Sequence, residues 1–135
     1  MNYGILIEKA KEARARAYVK YSNFKVGAAL LGKSGKIYTG CNIENASYGA
    51  TICAERVAFT KAISEGEKEF EAIAIVTGDD KITYPCGICR QFMSEFGLDL
   101  KLIFAGDDKV VTHNLSELLP YAFTEFDDGR GSRCG

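Results

Sequence analysis

The chain has 135 residues, of which 47% are hydrophobic and 26% are charged, and its formal net charge is −1. These values predict a soluble protein with one hydrophobic core, and they argue against a disordered chain and against a membrane span. Because acidic and basic residues nearly balance and no run of Lys or Arg stands out, a nucleic-acid partner is not expected.

The first residues predict an amphipathic helix that ends before "YSNF". Leu6, Ala10, Ala13 and Ala17 recur at spacings of three and four between charged residues, which gives the helix a face of small apolar side chains. The segment lacks the long apolar stretch and cleavage site of a signal peptide. We therefore expect a cytoplasmic protein whose thiols stay reduced.

Two strands are predicted next, in "KVGAALLG" from Lys25 and in "GKIYTGCNI", and the "GKSG" between them predicts a hairpin turn. A helix is expected from about Cys53 to Glu65, because Gly66 can adopt a left-handed cap. The nearly continuous apolar run "EAIAIVTG" is typical of a central strand that is covered on both faces.

The second half predicts one short helix and two more strands. "PCGICRQFMSEFG" predicts a helix closed by Gly97, and "LKLIFAG" and "KVVTHNL" predict strands. Asn114 and Glu117 form a capping-box pattern for a last helical turn, which Pro120 breaks. The order of elements predicts an α/β fold with a mixed five-stranded sheet and helices on both faces. We expect one domain over residues 1–126 and a flexible tail over 127–135.

Five cysteines provide the first functional signal, and Cys86 and Cys89 form a Cys-x-x-Cys pair. Taken alone, such a pair fits a redox dithiol, half of a metal site or two unrelated core thiols about equally well. Its late position in the chain disfavours a thioredoxin-like dithiol. A third thiol, Cys53, lies on another predicted helix, two residues before Glu55.

Three thiols and a carboxylate predict a catalytic zinc site, since catalytic zinc keeps one position for water whereas structural zinc has four protein ligands. Residues two apart in a helix point in different directions, so Cys53 and Glu55 can share a site only if Cys53 precedes the first helical turn. We therefore expect three sulfurs to meet where two helix N termini converge, because the positive helix ends favour thiolates. One zinc per chain is the expected cofactor.

A divalent zinc with three thiolates carries a net negative charge that a nearby cation should offset. Arg56 and Arg90 are the candidates, because a guanidinium stays charged when partly buried, and the alternative is that both are solvated helix residues. His113 lies in a predicted edge strand and fits a surface residue better than a ligand. Cys41 and Cys134 are spare thiols, and a fourth thiolate from either would close the site.

These residues resemble the cytidine deaminases of the short, homotetrameric kind. The resemblance extends from "YSNFKVGAALL" through "GCNIENASYGATICAERVAF" and "PCGICRQ" to "ELLPYAF". It implies a cytidine deaminase-like fold and hydrolytic deamination of cytidine and 2'-deoxycytidine in pyrimidine salvage. It also implies a homotetramer with shared active sites.

The resemblance assigns a role to each matching residue. It makes Cys53, Cys86 and Cys89 the zinc ligands. Glu55 becomes the proton shuttle and Arg56 the arginine that bonds to the thiolates. The residues implied for substrate binding are Phe24, Asn42, Glu44, Ala54 and, from a neighbouring subunit, Phe123. Without the resemblance, the "NIEN" stretch is a polar loop as readily as a diol-binding pair, and both phenylalanines are core residues.

Other functions remain open from the sequence. Blasticidin S deaminase shares the Cys-x-Glu and Pro-Cys-x-x-Cys elements, although "NIEN" and "YSNF" favour a plain nucleoside. A non-catalytic, zinc-stabilised binding module would make Glu55 incidental. Deaminases of polynucleotides usually carry His as the first ligand and a basic surface, and this sequence has neither. Finally, "LLPYAF" places Tyr121 and Phe123 near the chain end, where an apolar patch predicts an interface.

Overall fold

The computed structural model describes residues 3–79 and 81–125. In these ranges the helices are α1 (Gly4–Arg14), α2 (Ala54–Ser64), α3 (Gly87–Ser94) and α4 (Leu115–Leu118), with a 3₁₀ helix at Tyr48–Ala50. The strands are β1 (Val26–Gly32), β2 (Ile37–Cys41), β3 (Phe70–Thr77), β4 (Lys101–Ala105) and β5 (Val110–Asn114). The tail predicted over 127–135 lies outside the described residues, so the domain boundary at 126 stays a prediction.

The strands form one mixed sheet in the order β2-β1-β3-β4-β5. β3 and β4 are parallel, and the other neighbouring strands are antiparallel. β3 is the central strand and is buried along nearly its whole length, which agrees with its apolar sequence. The predicted mixed five-stranded sheet is therefore confirmed.

Helices cover both faces of this sheet, as predicted. On one face, Leu6 and Ala10 of α1 pack against β1, β3 and β4. On the other face, α2 and α3 share a second apolar cluster, in which Phe59 is fully buried and stacks on Phe96 at 5.6 Å between ring centroids. None of the helices in the described ranges has both the length and the apolar character needed to cross a membrane.

Gly40 of β2 determines how closely α2 approaches the sheet. A Cβ atom at this position would lie 2.4 Å from the carbonyl oxygen of Ala54 and 2.6 Å from the backbone nitrogen of Ala58. Any larger residue would therefore push the first turn of α2 away from β2. This close contact places the N terminus of α2 at one end of the sheet.

Most predicted helix ends agree with the structure. Gly66 and Gly97 follow α2 and α3 with φ angles of +99° and +124°, which are the left-handed conformations expected of C-terminal glycines. The capping box of Asn114 and Glu117 is present at α4. The 3₁₀ helix at Tyr48–Ala50 was not predicted.

The prediction for Ala17 was wrong, because α1 ends at Arg14 and leaves Ala17 outside the helix. The chain turns there to pair with the segment after β2. The N–H of Tyr18 donates to the carbonyl oxygen of Asn42 at 2.9 Å, and the N–H of Glu44 donates to the carbonyl oxygen of Tyr18 at 2.9 Å. Backbone pairing across distant residues therefore overrides the helical periodicity.

Candidate metal centre and active site

The N termini of α2 and α3 carry the predicted metal ligands. Cys53 is the N-cap of α2 with φ −72° and ψ 154°, and Cys86 is the N-cap of α3 with φ −68° and ψ 169°. Both residues have extended backbone, so their side chains do not follow the helical direction. Cys89 follows within the first turn of α3. The expectation that Cys53 precedes the helix is confirmed.

The three cysteine sulfurs lie within 4.8 Å of one another, and Cys53 Sγ is 3.9 Å from Cys86 Sγ. Sulfurs of a tetrahedral zinc shell, each about 2.3 Å from the metal, are separated by about 3.8 Å. Sulfur ligands favour zinc over oxygen-preferring cations such as magnesium or calcium. The donor set and its spacing therefore fit one zinc per chain.

Arg56 is the cation that contacts the sulfurs. Its Nη2 donates to Cys53 Sγ at 3.7 Å and to the carbonyl oxygen of Thr51 at 3.4 Å. Arg90 instead donates from Nε to the carbonyl oxygen of Pro85 and from Nη1 to that of Leu118, both at 2.8 Å. The structure thus separates the two candidates and gives Arg90 a role in holding α3 to the segment after α4.

Contacts within the cluster make its thiols unequal. The hydrogen bond with Cys89 lowers the pKa of Cys53 to about 5, and Arg56 and Cys86 add to this effect while burial opposes it. The same bond with Cys53, together with burial, raises the pKa of Cys89. Ionisation of one sulfur therefore disfavours ionisation of its neighbour, and a bound cation would favour deprotonation of both.

Glu55 lies in the first turn of α2 and is only 5% exposed. The pKa of Glu55 is raised to about 7, mainly by burial and also by the negative charge of Cys53, while a backbone hydrogen bond and the charge of Arg56 oppose the rise. A carboxyl group with a pKa near neutrality can both accept and donate a proton at the pH of the cell. Glu55 therefore has the properties of a general acid and base.

A cavity of about 220 Å³ joins the cluster to the predicted substrate residues. Its walls include Cys53, Cys86 and Glu55 together with three residues implied for substrate binding, which are Phe24, Asn42 and Ala54. The cavity thus brings these residues from four separate stretches of sequence to one place. Its volume lies below the roughly 300–1,000 Å³ of typical ligand pockets, so the cavity by itself has room for only a small molecule or part of one.

Glu44 and Phe123 do not line this cavity. Glu44 lies in an adjoining cleft of about 360 Å³, and Thr51 belongs to the walls of both spaces. Phe123 is 65% exposed, and its carbonyl oxygen accepts a hydrogen bond of 2.8 Å from Gln91 Nε2. Within a single chain, Phe123 therefore stands apart from the site.

Sequence reasoning missed Tyr84 as a wall of the cavity. Its ring lies 4.8 Å from that of Phe104 and 5.7 Å from that of His113, measured between centroids. Its place in the sequence, directly before Pro85 and the ligand Cys86, could have indicated that Tyr84 lies beside the site. His113 itself pairs with Glu117 at 3.5 Å, and the metal-binding cluster found in the described ranges consists of cysteines alone.

Comparison with known proteins gives the family. Residues 3–105 match the family model described as the cytidine and deoxycytidylate deaminase zinc-binding region. The chain belongs to this deaminase family. The match spans both helix N termini that carry the three cysteines, and it agrees with the zinc cofactor that the cluster supports.

Individual deaminases resemble the chain over most of its length. The cytidine deaminase of Halalkalibacterium halodurans is 50% identical, covering 94% of this chain and 98% of the relative. The blasticidin-S deaminase of Bacillus cereus is 32% identical, covering 88% and 90%. The crystal structure of cytidine deaminase from Burkholderia pseudomallei superimposes with a TM-score of 0.87 at 46% identity, covering 91% of this chain and all of that one. The predicted cytidine deaminase-like fold is confirmed.

Arg56→Gln is expected to lower zinc retention and kcat/KM by about tenfold or more, because a hydrogen bond to a charged partner contributes about 1.5–3 kcal/mol. Arg90→Gln is the matched control and should lower the melting temperature without changing the zinc content, since Arg90 bonds to carbonyl oxygens. Metal analysis and the pH dependence of kcat/KM measure the difference. Full zinc content and an unchanged pH profile in Arg56→Gln would contradict the role of Arg56.

Proposed function

We propose that this deaminase hydrolyses cytidine and 2'-deoxycytidine to uridine and 2'-deoxyuridine and releases ammonia. The observation that carries the proposal is the buried carboxyl of Glu55 beside three clustered sulfurs on the wall of one cavity. A protein that used zinc only for structure would have no compensation for burying this carboxyl group. We also propose pyrimidine salvage in the cytoplasm, where a reducing compartment would keep the spare thiol of Cys41 free.

In this proposal Cys53, Cys86 and Cys89 hold the zinc. When bound, zinc supplies the Lewis acidity that lets water attack C4 of the base at neutral pH. Glu55 accepts a proton from the attacking water and delivers it to N3, which makes C4 more electrophilic. Glu55 then accepts the second proton of that water from the new hydroxyl group on C4 and donates it to the departing amino group, so that a C4 carbonyl forms and ammonia leaves. Arg56 holds the Cys53 sulfur and offsets the negative charge of the thiolates.

Phe24, Asn42, Glu44 and Ala54 are the proposed substrate contacts. Asn42 Nδ2 donates to the carbonyl oxygen of Phe24 at 2.8 Å, and Asn42 Oδ1 accepts from the N–H of Val26 at 2.9 Å. An amide has two donors and two acceptor positions, so one of each remains for a sugar hydroxyl. The same two bonds hold Phe24 on the wall of the cavity, where its ring would cover the nucleoside.

The proposed substrate is tested by following the ultraviolet change on mixing purified protein with cytidine, 2'-deoxycytidine or blasticidin S. The 50% identity to a cytidine deaminase against 32% to a blasticidin-S deaminase supports the first two substrates. We expect both nucleosides to be converted with higher kcat/KM than blasticidin S. A preference for blasticidin S would identify the alternative enzyme, and no turnover by zinc-loaded protein would favour the binding module.

We further propose a homotetramer in which Phe123 completes the site of a neighbouring subunit. Phe123 is 65% exposed and Tyr121 is fully exposed in the single chain, and such an apolar patch is typical of an interface. Four identical subunits related by two-fold axes would place each patch against another copy. An aromatic ring that stacks on the base adds about 1–3 kcal/mol to binding.

Two inactive variants should restore activity to each other if the sites are shared. Phe123→Ala retains Glu55, and Glu55→Gln retains Phe123, so a mixed oligomer contains some sites with both intact groups. If equal amounts of the two variants assemble at random, about one quarter of the sites contain both an intact Glu55 and an intact Phe123. Activity is measured after co-refolding, and each variant refolded alone is the control. A scattering mass equal to one chain, with full activity, would contradict shared sites.

A further inference from the structure

Ser22 lies between two of the proposed substrate contacts, Phe24 and Glu44. Its hydroxyl group donates a hydrogen bond to Oε2 of Glu44, and its Oγ accepts one of 3.0 Å from the N–H of Phe24. The N–H groups of Tyr21 and Ser22 donate to Oε1 of Glu44 at 2.9 and 3.0 Å. The Glu44 carboxylate is therefore held by two successive residues of the loop that leads into Phe24.

The directions of these bonds determine how many acceptor positions of the Glu44 carboxylate remain for a ligand. Two N–H groups occupy the acceptor positions of Glu44 Oε1, whereas Oε2 accepts one O–H and keeps one position. Because Ser22 Oγ accepts the N–H of Phe24, its own proton is directed to Glu44. These bonds from Ser22 also lower the pKa of Glu44, so the group stays an acceptor. One hydroxyl donor can bind at the remaining position.

We propose that Ser22 is a positioning residue that aims the Glu44 carboxylate at one sugar hydroxyl of the nucleoside and links it to Phe24. The inference rests on the proposed function, in which Glu44 contacts the sugar. Without the Ser22 hydroxyl, the carboxylate loses the bond that orients Oε2, and the N–H of Phe24 loses its acceptor. Recognition of the sugar hydroxyl is then weakened more than recognition of the base.

The chain contains a matched control for this arrangement at Ser34. The Ser34 hydroxyl donates to Oε1 of Glu67, its N–H donates to Oε2 at 3.3 Å, and its Oγ accepts the N–H of Lys36 at 3.3 Å. This second serine–glutamate pair lies in a cleft with Tyr38 and shares no residue with the walls of the nucleoside cavity. Ser34→Ala therefore removes the same kinds of bond and reports their structural contribution alone.

The test compares kcat/KM for cytidine, 2'-deoxycytidine and 3'-deoxycytidine. We expect the parent to discriminate against one of the two deoxy analogues. In Ser22→Ala this discrimination should fall by about five- to twentyfold, because a bond to a charged group is lost. The change should appear mainly in KM. Ser22→Thr, which keeps the hydroxyl, should restore the discrimination, and Ser34→Ala should leave it unchanged while lowering the melting temperature.

Glu44→Gln separates failure of this inference from failure of the proposed contact. If Glu44→Gln removes the discrimination and Ser22→Ala keeps the parent value, Ser22 has no positioning role. If Glu44→Gln leaves the discrimination unchanged, or the parent does not discriminate against either analogue, the proposed contact between Glu44 and the sugar is wrong. Ser22→Gly, which also lacks the hydroxyl, provides the same comparison if Ser22→Ala does not fold.

Discussion

Glu55→Gln is expected to keep the fold and the zinc and to lose turnover by about 100- to 10,000-fold or more. Glutamine has nearly the same shape as glutamate, so the buried site in the first turn of α2 stays filled. The amide cannot carry a proton from water to the base. Turnover of cytidine, zinc content and the melting temperature of the variant measure these three properties separately.

The stability of this variant follows from the same burial. The pKa of Glu55 is raised from 4.5 to about 7, so the neutral carboxyl group stabilises the fold at low pH. That contribution is fully present below the unfolded value and is lost as the pH rises through about 7. An amide stays neutral at every pH. The melting temperature of Glu55→Gln at pH 8 should therefore equal or exceed that of the parent.

Glu12→Gln is a suitable control for Glu55→Gln, because Glu12 is an exposed residue of α1. Its kcat and zinc content should match those of the parent. If Glu55→Gln deaminates cytidine within a few-fold of the parent rate, another group moves the protons, and the binding-module interpretation gains support. If the zinc is lost as well, the change in rate reports damage to the metal site instead.

The sheet could be predicted from the sequence because local pattern and final packing agree there. The continuous apolar run in β3 requires cover on both faces, and the helices before and after it provide that cover. The end of α1 could not be predicted in the same way. Backbone hydrogen bonds between Tyr18 and the segment at Asn42 end the helix, and no local property of Ala17 predicts these bonds.

The metal cluster could be predicted because its spacing restricts the geometry. Cys53 and Glu55 are two residues apart, which forces Cys53 out of the helix, and the structure has it in extended backbone. The choice between Arg56 and Arg90 could not have been made from helical phase, because Arg56 follows Cys53 by three residues and Arg90 follows Cys86 by four. Only the hydrogen bonds of the folded chain separate them, since Arg56 reaches the Cys53 sulfur and Arg90 reaches backbone carbonyl oxygens.

The proposed substrate residues could not be derived from local sequence pattern, because their positions depend on long-range contacts. Asn42 and Glu44 look like a polar loop until the chain brings the Ser22–Val26 stretch beside them. Phe24 is half-buried, as a residue at the margin of a core would be, and its place on the cavity wall comes from those bonds. The resemblance to a family supplied what local pattern could not.

Cys86→Ala is expected to reduce the zinc content from about one per chain to near zero and to abolish deamination. Cys86 is exposed, so its replacement removes little packing, and a loss of zinc reports ligation rather than unfolding. Cys89 is fully buried, so its replacement would combine loss of a zinc ligand with loss of core packing. Cys41 at the end of β2 is the matched control, because it lies outside the sulfur cluster and Cys41→Ala should keep both zinc and activity.

The same measurement decides whether the site is open, as catalysis requires. Cys134 lies outside the described residues, and a fourth thiolate from it would occupy the position that water needs. We expect Cys134→Ser to bind zinc and deaminate cytidine like the parent, because three cysteines already form the cluster. Loss of zinc in Cys134→Ser, or zinc retained in Cys86→Ala, would contradict the three-thiolate assignment. Loss of zinc in Cys134→Ser would mean that four thiolates close the site. Glu55 would then have no metal-bound water from which to take a proton, and its burial would have no chemical reason.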